Sequence, residues 1–343
     1  MRNDRREHSL RGPVKSVYVE SAEIEEQDGG RVETPWLSHT MTFNQDGSII
    51  ESINRNPDGS TWCTLNEYSD AGQLIATRNY DSADQLSGQV LYTYDSEERL
   101  MAEQSISRDG GVTTPVIYEY DNEARKTKTE ILHFPGDANV WIGIEGTNIS
   151  ISAQQAKRVE TLYDQQDEAV EVRVFDADGI LASRVVIRRD ARGNPLEETQ
   201  YTGDSVPFTQ CSSDSCSVEG EAPLTEEQRA EAAVELARMF PPGTGMSNHI
   251  HNYDEEGRLI ESKLTMMEMP VNHQIFKYDE AGNKSEELMY DENEALRSRV
   301  IFTREYDEHG NWTTEVVSTV SAGDAEVGLS TPCNLTRRRI IYF

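Results

Sequence analysis

The feature that most constrains the fold is a short unit that recurs along the chain. Each copy has an aromatic residue, an aspartate, a polar turn that usually contains glycine, and then a stretch of alternating polarity. The copies begin at Phe43, Tyr68, Tyr80, Tyr94, Tyr120, Tyr163, Phe175, Arg189 (in place of the aromatic residue), Tyr253, Tyr278, Tyr290 and Tyr306. Such internal repetition predicts an array built from one supersecondary unit.

The chemistry of the unit indicates a β-hairpin. The aspartate can accept a hydrogen bond from a backbone N–H two residues on, and glycine adopts the positive φ that closes a tight turn. The stretches that follow, such as residues 170–174 and 312–316, alternate apolar and polar side chains. This period of two is typical of half-buried strands. The repeat therefore predicts a series of antiparallel hairpins.

Three copies carry a family resemblance, namely Tyr253–Leu259, Tyr278–Asn283 and Tyr306–Trp312, which read Tyr-Asp-x-x-Gly-(Arg/Asn). They resemble the YD repeats of bacterial RHS proteins and animal teneurins. The resemblance implies strands that wind into a twisted sheet. At 343 residues the chain is too short for the large RHS shell, and it lacks the RHS core-boundary signature and a toxin domain. The resemblance thus implies the sheet and not the container.

One helix interrupts the predicted strands at about residues 225–240. Thr225 is its N-cap, Gln228 completes a capping box, and Pro241 and Pro242 stop it. The predicted fold class is mainly β: an array of antiparallel β-hairpins forming a YD-repeat-like twisted sheet, with this one inserted α-helix.

The repeats and their interruptions predict four segments. They are N-terminal YD-repeat hairpins at 1–135, a middle YD-repeat unit with a loop insertion at 136–202, an acidic loop plus helix at 203–248, and a C-terminal YD-repeat unit at 249–343.

The charge balance bears on partners. The chain has 62 acidic and 32 basic side chains, a net charge of −30. Such a surface repels nucleic acid and anionic membranes and attracts a basic protein. Met1–Leu10 is charged, and no apolar run reaches the roughly 20 residues of a membrane helix. We expect a cytoplasmic bacterial protein that is monomeric when free.

No catalytic motif is present, so the sequence predicts no enzyme, no catalytic residues and no cofactor. His249 and His251 have the i, i+2 spacing of a two-histidine metal site on one strand face, near His273 and the loop cysteines Cys211 and Cys216. We interpret them instead as polar residues on a solvated strand face, and predict no metal site.

These observations favour a non-catalytic binding protein. The favoured function is an immunity protein that binds a cognate basic toxin domain, of the RHS or type VI kind, and occludes its active site. Trp141 would be the aromatic anchor. The carboxylates predicted to pair with the partner's Arg and Lys side chains are Glu25, Glu26, Asp28, Asp214, Glu219 and Glu221.

Two alternatives stay open. One is a surface or secreted YD-repeat module for adhesion or carbohydrate binding, with sugar rings stacking on Trp36, Trp62, Trp141 or Trp312. The other is a chaperone or structural part of a toxin assembly.

Overall fold

The structure is a computed structural model that describes residues 4–27, 30–113, 115–121, 125–132, 139–143, 150–154, 156–204, 238, 241–321 and 331–343. The chain forms two compact units: unit 1 comprises Met1–Thr114 with Gln274–Phe343, and unit 2 comprises Pro115–His273. The division into four segments made from the sequence stays a prediction. Among the described residues, no helix has the length and hydropathy needed to cross a membrane.

Strands dominate the described residues, after one short helix, α1 (Asp4–Glu7). The first eleven strands are β1 (Val14–Gln27), β2 (Gly30–Phe43), β3 (Ile49–Arg55), β4 (Thr61–Tyr68), β5 (Leu74–Tyr80), β6 (Leu86–Tyr94), β7 (Leu100–Ser107), β8 (Val116–Tyr120), β9 (Lys126–Ile131), β10 (Asn139–Gly143) and β11 (Ser150–Gln154). The next eleven are β12 (Arg158–Tyr163), β13 (Ala169–Phe175), β14 (Leu181–Arg189), β15 (Pro195–Thr202), β16 (Gly245–Tyr253), β17 (Leu259–Met266), β18 (Met269–Tyr278), β19 (Lys284–Tyr290), β20 (Leu296–Tyr306), β21 (Trp312–Ser321) and β22 (Thr331–Tyr342).

The first and last strands are neighbours. Twenty strands belong to one sheet, while β10 and β11 pair separately. Val17 of β1 lies opposite Met41 of β2 on one side and Ile340 of β22 on the other. The backbone N–H of Phe343 also donates to the carbonyl of Pro13 at 2.9 Å. The sheet is therefore closed where the chain begins and ends.

This closure corrects the predicted fold class. The sequence predicts a twisted sheet of hairpins with an inserted helix and does not indicate whether the sheet closes, whereas β1 and β22 pair with each other over most of their length. The one helix delimited among the described residues is the single turn α1. The predicted helix at about 225–240 lies, apart from Arg238, outside the described residues. Local repeats specify hairpins, but they carry no signal for a pairing about 300 positions apart.

The same closure corrects the prediction of a cytoplasmic location. That prediction depended on the lack of an apolar leader and of an apolar run of about 20 residues, which are features of membrane helices. Outer-membrane proteins cross the bilayer with strands of a closed antiparallel sheet, so neither missing feature argues for the cytoplasm in a chain whose twenty strands form one closed sheet. The prediction of a cytoplasmic location is therefore wrong.

The repeat builds its turns as the sequence predicts. Asp254 is typical: its Oδ1 accepts hydrogen bonds from the backbone N–H groups of Glu256 at 3.1 Å and Arg258 at 2.8 Å. Gly257 has a φ of +81° and its N–H bonds the Asp254 carbonyl. This is a type I turn closed by a left-handed residue, a common connection between antiparallel strands.

Several tyrosines at the start of the repeat link their hairpin to a neighbouring one. In unit 1, the Tyr68 hydroxyl donates to the carbonyl of Ile49 at 2.9 Å, and that of Tyr94 to the carbonyl of Leu74 at 2.7 Å. Ile49 and Leu74 are the first residues of β3 and β5. Arg189, which replaces the aromatic residue in unit 2, makes the same link through Nε to the first residue of β13, at 2.9 Å. The tyrosine thus ends its own strand and also links its hairpin to the neighbouring one by a hydrogen bond.

Each unit buries one face of its strands. The core of unit 2 includes Val172, Val174, Val185 and Ile187. In unit 1, Leu10, Val14, Val17, Met41 and Phe43 form the core cluster. Because residues opposite each other in antiparallel strands share a face, the pair Val172 and Val185 marks the buried face in unit 2.

Candidate functional site

The hairpin of β1 and β2 extends beyond its neighbours. These strands pair from Ser16 and Thr42 to the tip at Gln27 and Gly30. The pairing of β1 with β22 ends at Glu23, and that of β2 with β3 begins at Ser38. Beyond those points, residues 24–37 have no other strand partner among the described residues. We call this segment the acidic arm.

The described side chains of the arm are mostly exposed. Ile24 is buried, whereas Glu25 of β1 and residues 32–35 of β2 are exposed. At the base of the arm, Arg337 of β22 donates to Glu33 Oε2 at 2.9 Å, which anchors β2 to the sheet.

The predicted partner-binding residues are dispersed. Glu25 and Glu26 lie on β1, in the acidic arm. Trp141 lies in β10, where it pairs with Ser152 of β11. Asp28, Asp214, Glu219 and Glu221 lie outside the described residues. The binding role of all seven stays a prediction.

A second constellation lies on the buried face of unit 2. Glu198 of β15 is opposite Ile187 of the core on one side and His249 of β16 on the other. His251 follows two residues along β16, opposite Ser262 of β17, and therefore points to the same face. The register alone brings one carboxylate and two imidazoles together.

These three side chains are close together and buried. Glu198 Oε2 is 3.7 Å from His251 Nε2 and 3.9 Å from His249 Nδ1. The side chains of Glu198 and His251 are 0 % exposed, and that of His249 is 13 % exposed. Burial lowers the pKa of His249. The neighbouring His251 lowers it further, and the carboxylate of Glu198 acts in the opposite direction. No other group of three potential metal ligands lies this close within the described part of the chain.

The structure revises the interpretation of the histidines. His251 is buried, so the predicted solvated strand face is wrong for this residue. His273 lies apart from the cluster and contacts Glu261 at 2.9 Å. Cys211 and Cys216 are outside the described residues. Sequence reasoning missed Glu198, because only the pairing of β15 with β16 brings it opposite His249.

Comparison with known proteins gives no family. No family model and no curated protein matches the chain. Among solved structures, a porin-like protein from Bacteroides uniformis ATCC 8492 is similar with a TM-score of 0.36 and 8 % identity, over 96 % of this chain and 99 % of that one. TcdB2-TccC3 is similar with a TM-score of 0.21 and 12 % identity, over 90 % of this chain and 22 % of that one.

Proposed function

We propose that the chain is a non-catalytic binding protein that captures a basic protein, and that the acidic arm is its contact surface. The observation that carries this proposal is the extension of the arm past β3 and β22, with the exposed carboxylates of Glu25 and Glu33. The net charge of −30 adds a long-range field of the same sign. Such a field speeds the association of a cationic partner.

The backbone of the arm adds a second means of recognition. Beyond Glu23 and before Ser38, the outer edges of β1 and β2 have no strand partner among the described residues. An open edge can accept a strand from another protein through main-chain hydrogen bonds. A partner with an extended basic segment would satisfy both the edge and the carboxylates.

The cations near the arm already have partners within the chain. Arg337 binds Glu33, the guanidinium of Arg338 lies 3.3 Å from the centre of the Trp312 ring, and that of Arg339 lies 5.3 Å from the Tyr18 ring. The guanidinium of Arg338 covers one face of the Trp312 ring, which weakens the alternative of sugar stacking there.

The class of partner follows from the sequence resemblance. YD repeats of the RHS kind accompany secreted toxins, so the proposed partner is a basic toxin domain whose active site the arm would block. In this role the protein needs no catalytic group. Its affinity would come from buried contacts at the arm and its association rate from charge.

Charge reversal of the arm tests the proposal. The double variant Glu25→Lys and Glu26→Lys is compared with a control of equal charge change at exposed turn carboxylates, Glu255→Lys and Glu292→Lys. Basic toxin domains encoded near the gene would be titrated against each variant by calorimetry, at low and high salt. We expect the arm variant to bind at least about tenfold more weakly and the control to bind nearly as wild type. Equal loss in both variants, or tight binding by the arm variant, contradicts the proposal.

A further inference from the structure

The cluster of Glu198, His249 and His251 is separate from the acidic arm and lies in unit 2. We propose that these three side chains bind one divalent metal cation such as zinc, and that the bound ion holds β15 and β16 together. The argument is independent of the function proposed for the arm.

The distances between the donor atoms suit a shared ion. Glu198 Oε2 lies 3.7 Å from His251 Nε2 and 3.9 Å from His249 Nδ1. A direct hydrogen bond would need about 2.7–3.2 Å. Two ligand atoms bound to one tetrahedral zinc ion, each about 2.1 Å from the metal, lie about 3.4 Å apart. The carboxylate is therefore too far from either imidazole for a direct hydrogen bond. One donor atom of each residue lies within 4.8 Å of the other two, so the three ligands would draw together around a bound cation.

Burial makes an uncompensated cluster unfavourable. Neither carboxylate oxygen of Glu198 and neither ring nitrogen of His251 has a hydrogen-bond partner in the described part of the chain. Both side chains are fully buried. A carboxylate removed from water needs a positive charge or hydrogen-bond donors. A metal ion at the centre would supply the charge for Glu198 and a ligand bond for each imidazole.

The ring of His249 is already oriented for binding. Its Nε2 lies 3.0 Å from the hydroxyl of Ser262 on β17. If Nε2–H donates to this hydroxyl, Nδ1 keeps its lone pair on the side of Glu198. Metal-binding histidines are typically fixed in this way by a second partner on the other ring nitrogen.

The donor set indicates the class of ion. Two imidazole nitrogens and one carboxylate oxygen are typical ligands of zinc, whereas calcium and magnesium take oxygen ligands. Three protein ligands leave one position of a tetrahedron for a water molecule.

The place of the cluster in the chain suggests what the ion does. Glu198 precedes and His249 follows the long connection, residues 203–244, that joins β15 to β16. A cross-link that closes a long connection opposes the chain entropy that would separate its ends. The ion would hold the two strands in register across this insertion.

Metal titration of the full chain tests the site. The protein is stripped with a chelator and titrated with zinc chloride by calorimetry, and separately with cobalt chloride by visible spectroscopy. We expect one ion per chain, a tetrahedral cobalt spectrum that excess zinc abolishes, and slower amide hydrogen exchange in β15 and β16 when zinc is bound. Less than stoichiometric binding by the folded chain overturns the proposal.

Two variants locate the ion. Glu198→Gln preserves the side-chain shape but removes the charge, and Glu261→Gln makes the same change at the surface pair of Glu261 with His273. We expect zinc affinity to fall at least about 100-fold in Glu198→Gln, which exceeds the loss typical of a residue that only hydrogen-bonds a metal ligand. In Glu261→Gln we expect it to stay within about twofold of wild type. If Glu198→Gln does not fold, the imidazole NMR signals of the wild type decide: zinc must shift those of His249 and His251. Equal losses in both variants, or a shift at His273 alone, overturn the proposal.

Discussion

At the residue scale, some side chains of the repeat act within their own turn, and others contact the neighbouring hairpin. The aspartate and glycine of Asp254–Gly257 act within their own turn, so the sequence sufficed to predict their roles. The hydroxyl of Tyr94 instead reaches the Leu74 carbonyl of the neighbouring hairpin. This link depends on how hairpins stack, which no single copy of the repeat reveals. The buried position of Glu198 escaped prediction for the same reason.

Removal of the tyrosine hydroxyl tests the link between hairpins. Tyr94→Phe keeps the ring but leaves the Leu74 carbonyl without this donor, so we expect a loss of about 1 kcal/mol in the free energy of unfolding. Tyr201→Phe is the control, because the ring face of Tyr201 makes its contact, 5.0 Å from the Arg184 guanidinium. Urea unfolding measures both variants. An equal midpoint shift in the two would show that the Tyr94 hydroxyl adds nothing specific.

Glutamate at a left-handed turn position offers a second test at this scale. Glu98 has a φ of +65°, where most copies of the repeat have glycine. Glu98→Gly should relieve backbone strain and stabilise the protein by about 0.5–1 kcal/mol, after the greater freedom of glycine in the unfolded chain is subtracted. The reverse change, Gly59→Ala, isolates the backbone effect, because its φ is +84° and an added Cβ would have no neighbour within 4 Å. We expect that variant to lower the urea midpoint, and a gain from Gly59→Ala would contradict the argument.

At the element scale, the sequence predicts hairpins well because period-two strands and turn chemistry agree along the chain. It did not predict which strand face is buried around His251, since the polar face of β16 is buried there and the apolar Ile250 on the other face is 42 % exposed. The turns also predict how stability depends on pH. The carboxylates of Asp81, Asp95 and Asp190 have pKa values below their ordinary 3.8, chiefly because they accept hydrogen bonds from turn backbone or side chains.

The sign of the pH effect follows from these lowered pKa values. A carboxyl whose pKa is lower in the folded state stabilises the fold above the unfolded pKa, and this contribution is lost as the pH falls through the folded value. We therefore expect the urea midpoint to drop as the pH falls below about 4. Between pH 7 and 5, protonation partly neutralises the net charge of −30, which reduces the repulsion between like charges and stabilises the fold. Asp190→Asn should show a shallower loss below pH 4 than wild type, and a midpoint that stays constant down to pH 2.5 would contradict this prediction.

At the scale of the whole molecule, the closure of the sheet is what the sequence could not provide. Local patterning determines which strands form and how consecutive ones pair, but the pairing of β1 with β22 joins segments about 300 positions apart and has no signature within either. Hydrogen bonds reinforce this closure: the Phe343 N–H donates to the Pro13 carbonyl at 2.9 Å, and Asn311 Nδ2 donates to the Arg11 carbonyl at 2.9 Å and to the Tyr342 hydroxyl at 2.8 Å. The Tyr342 hydroxyl donates in turn to Asp307 at 2.5 Å, and burial together with Asp307 raises the pKa of Tyr342 to about 12.

Because the first and last strands are neighbours, the order of the strands in the chain should be dispensable. The Phe343 N–H donates to the Pro13 carbonyl at 2.9 Å, so a Gly/Ser linker from Phe343 to the segment before β1 has only a short distance to span. We expect a circular permutant opened in the exposed turn between β5 and β6, near Ala83, to fold with nearly the thermal stability of the parent, as measured by circular dichroism. Deletion of β22 is the counterpart: it exposes edges of β1 and β21 and should abolish cooperative unfolding. A deletion variant that still folds would show that β1 and β22 do not close the sheet. A permutant that does not fold would show the same, provided that the unlinked chain tolerates being opened at the same turn.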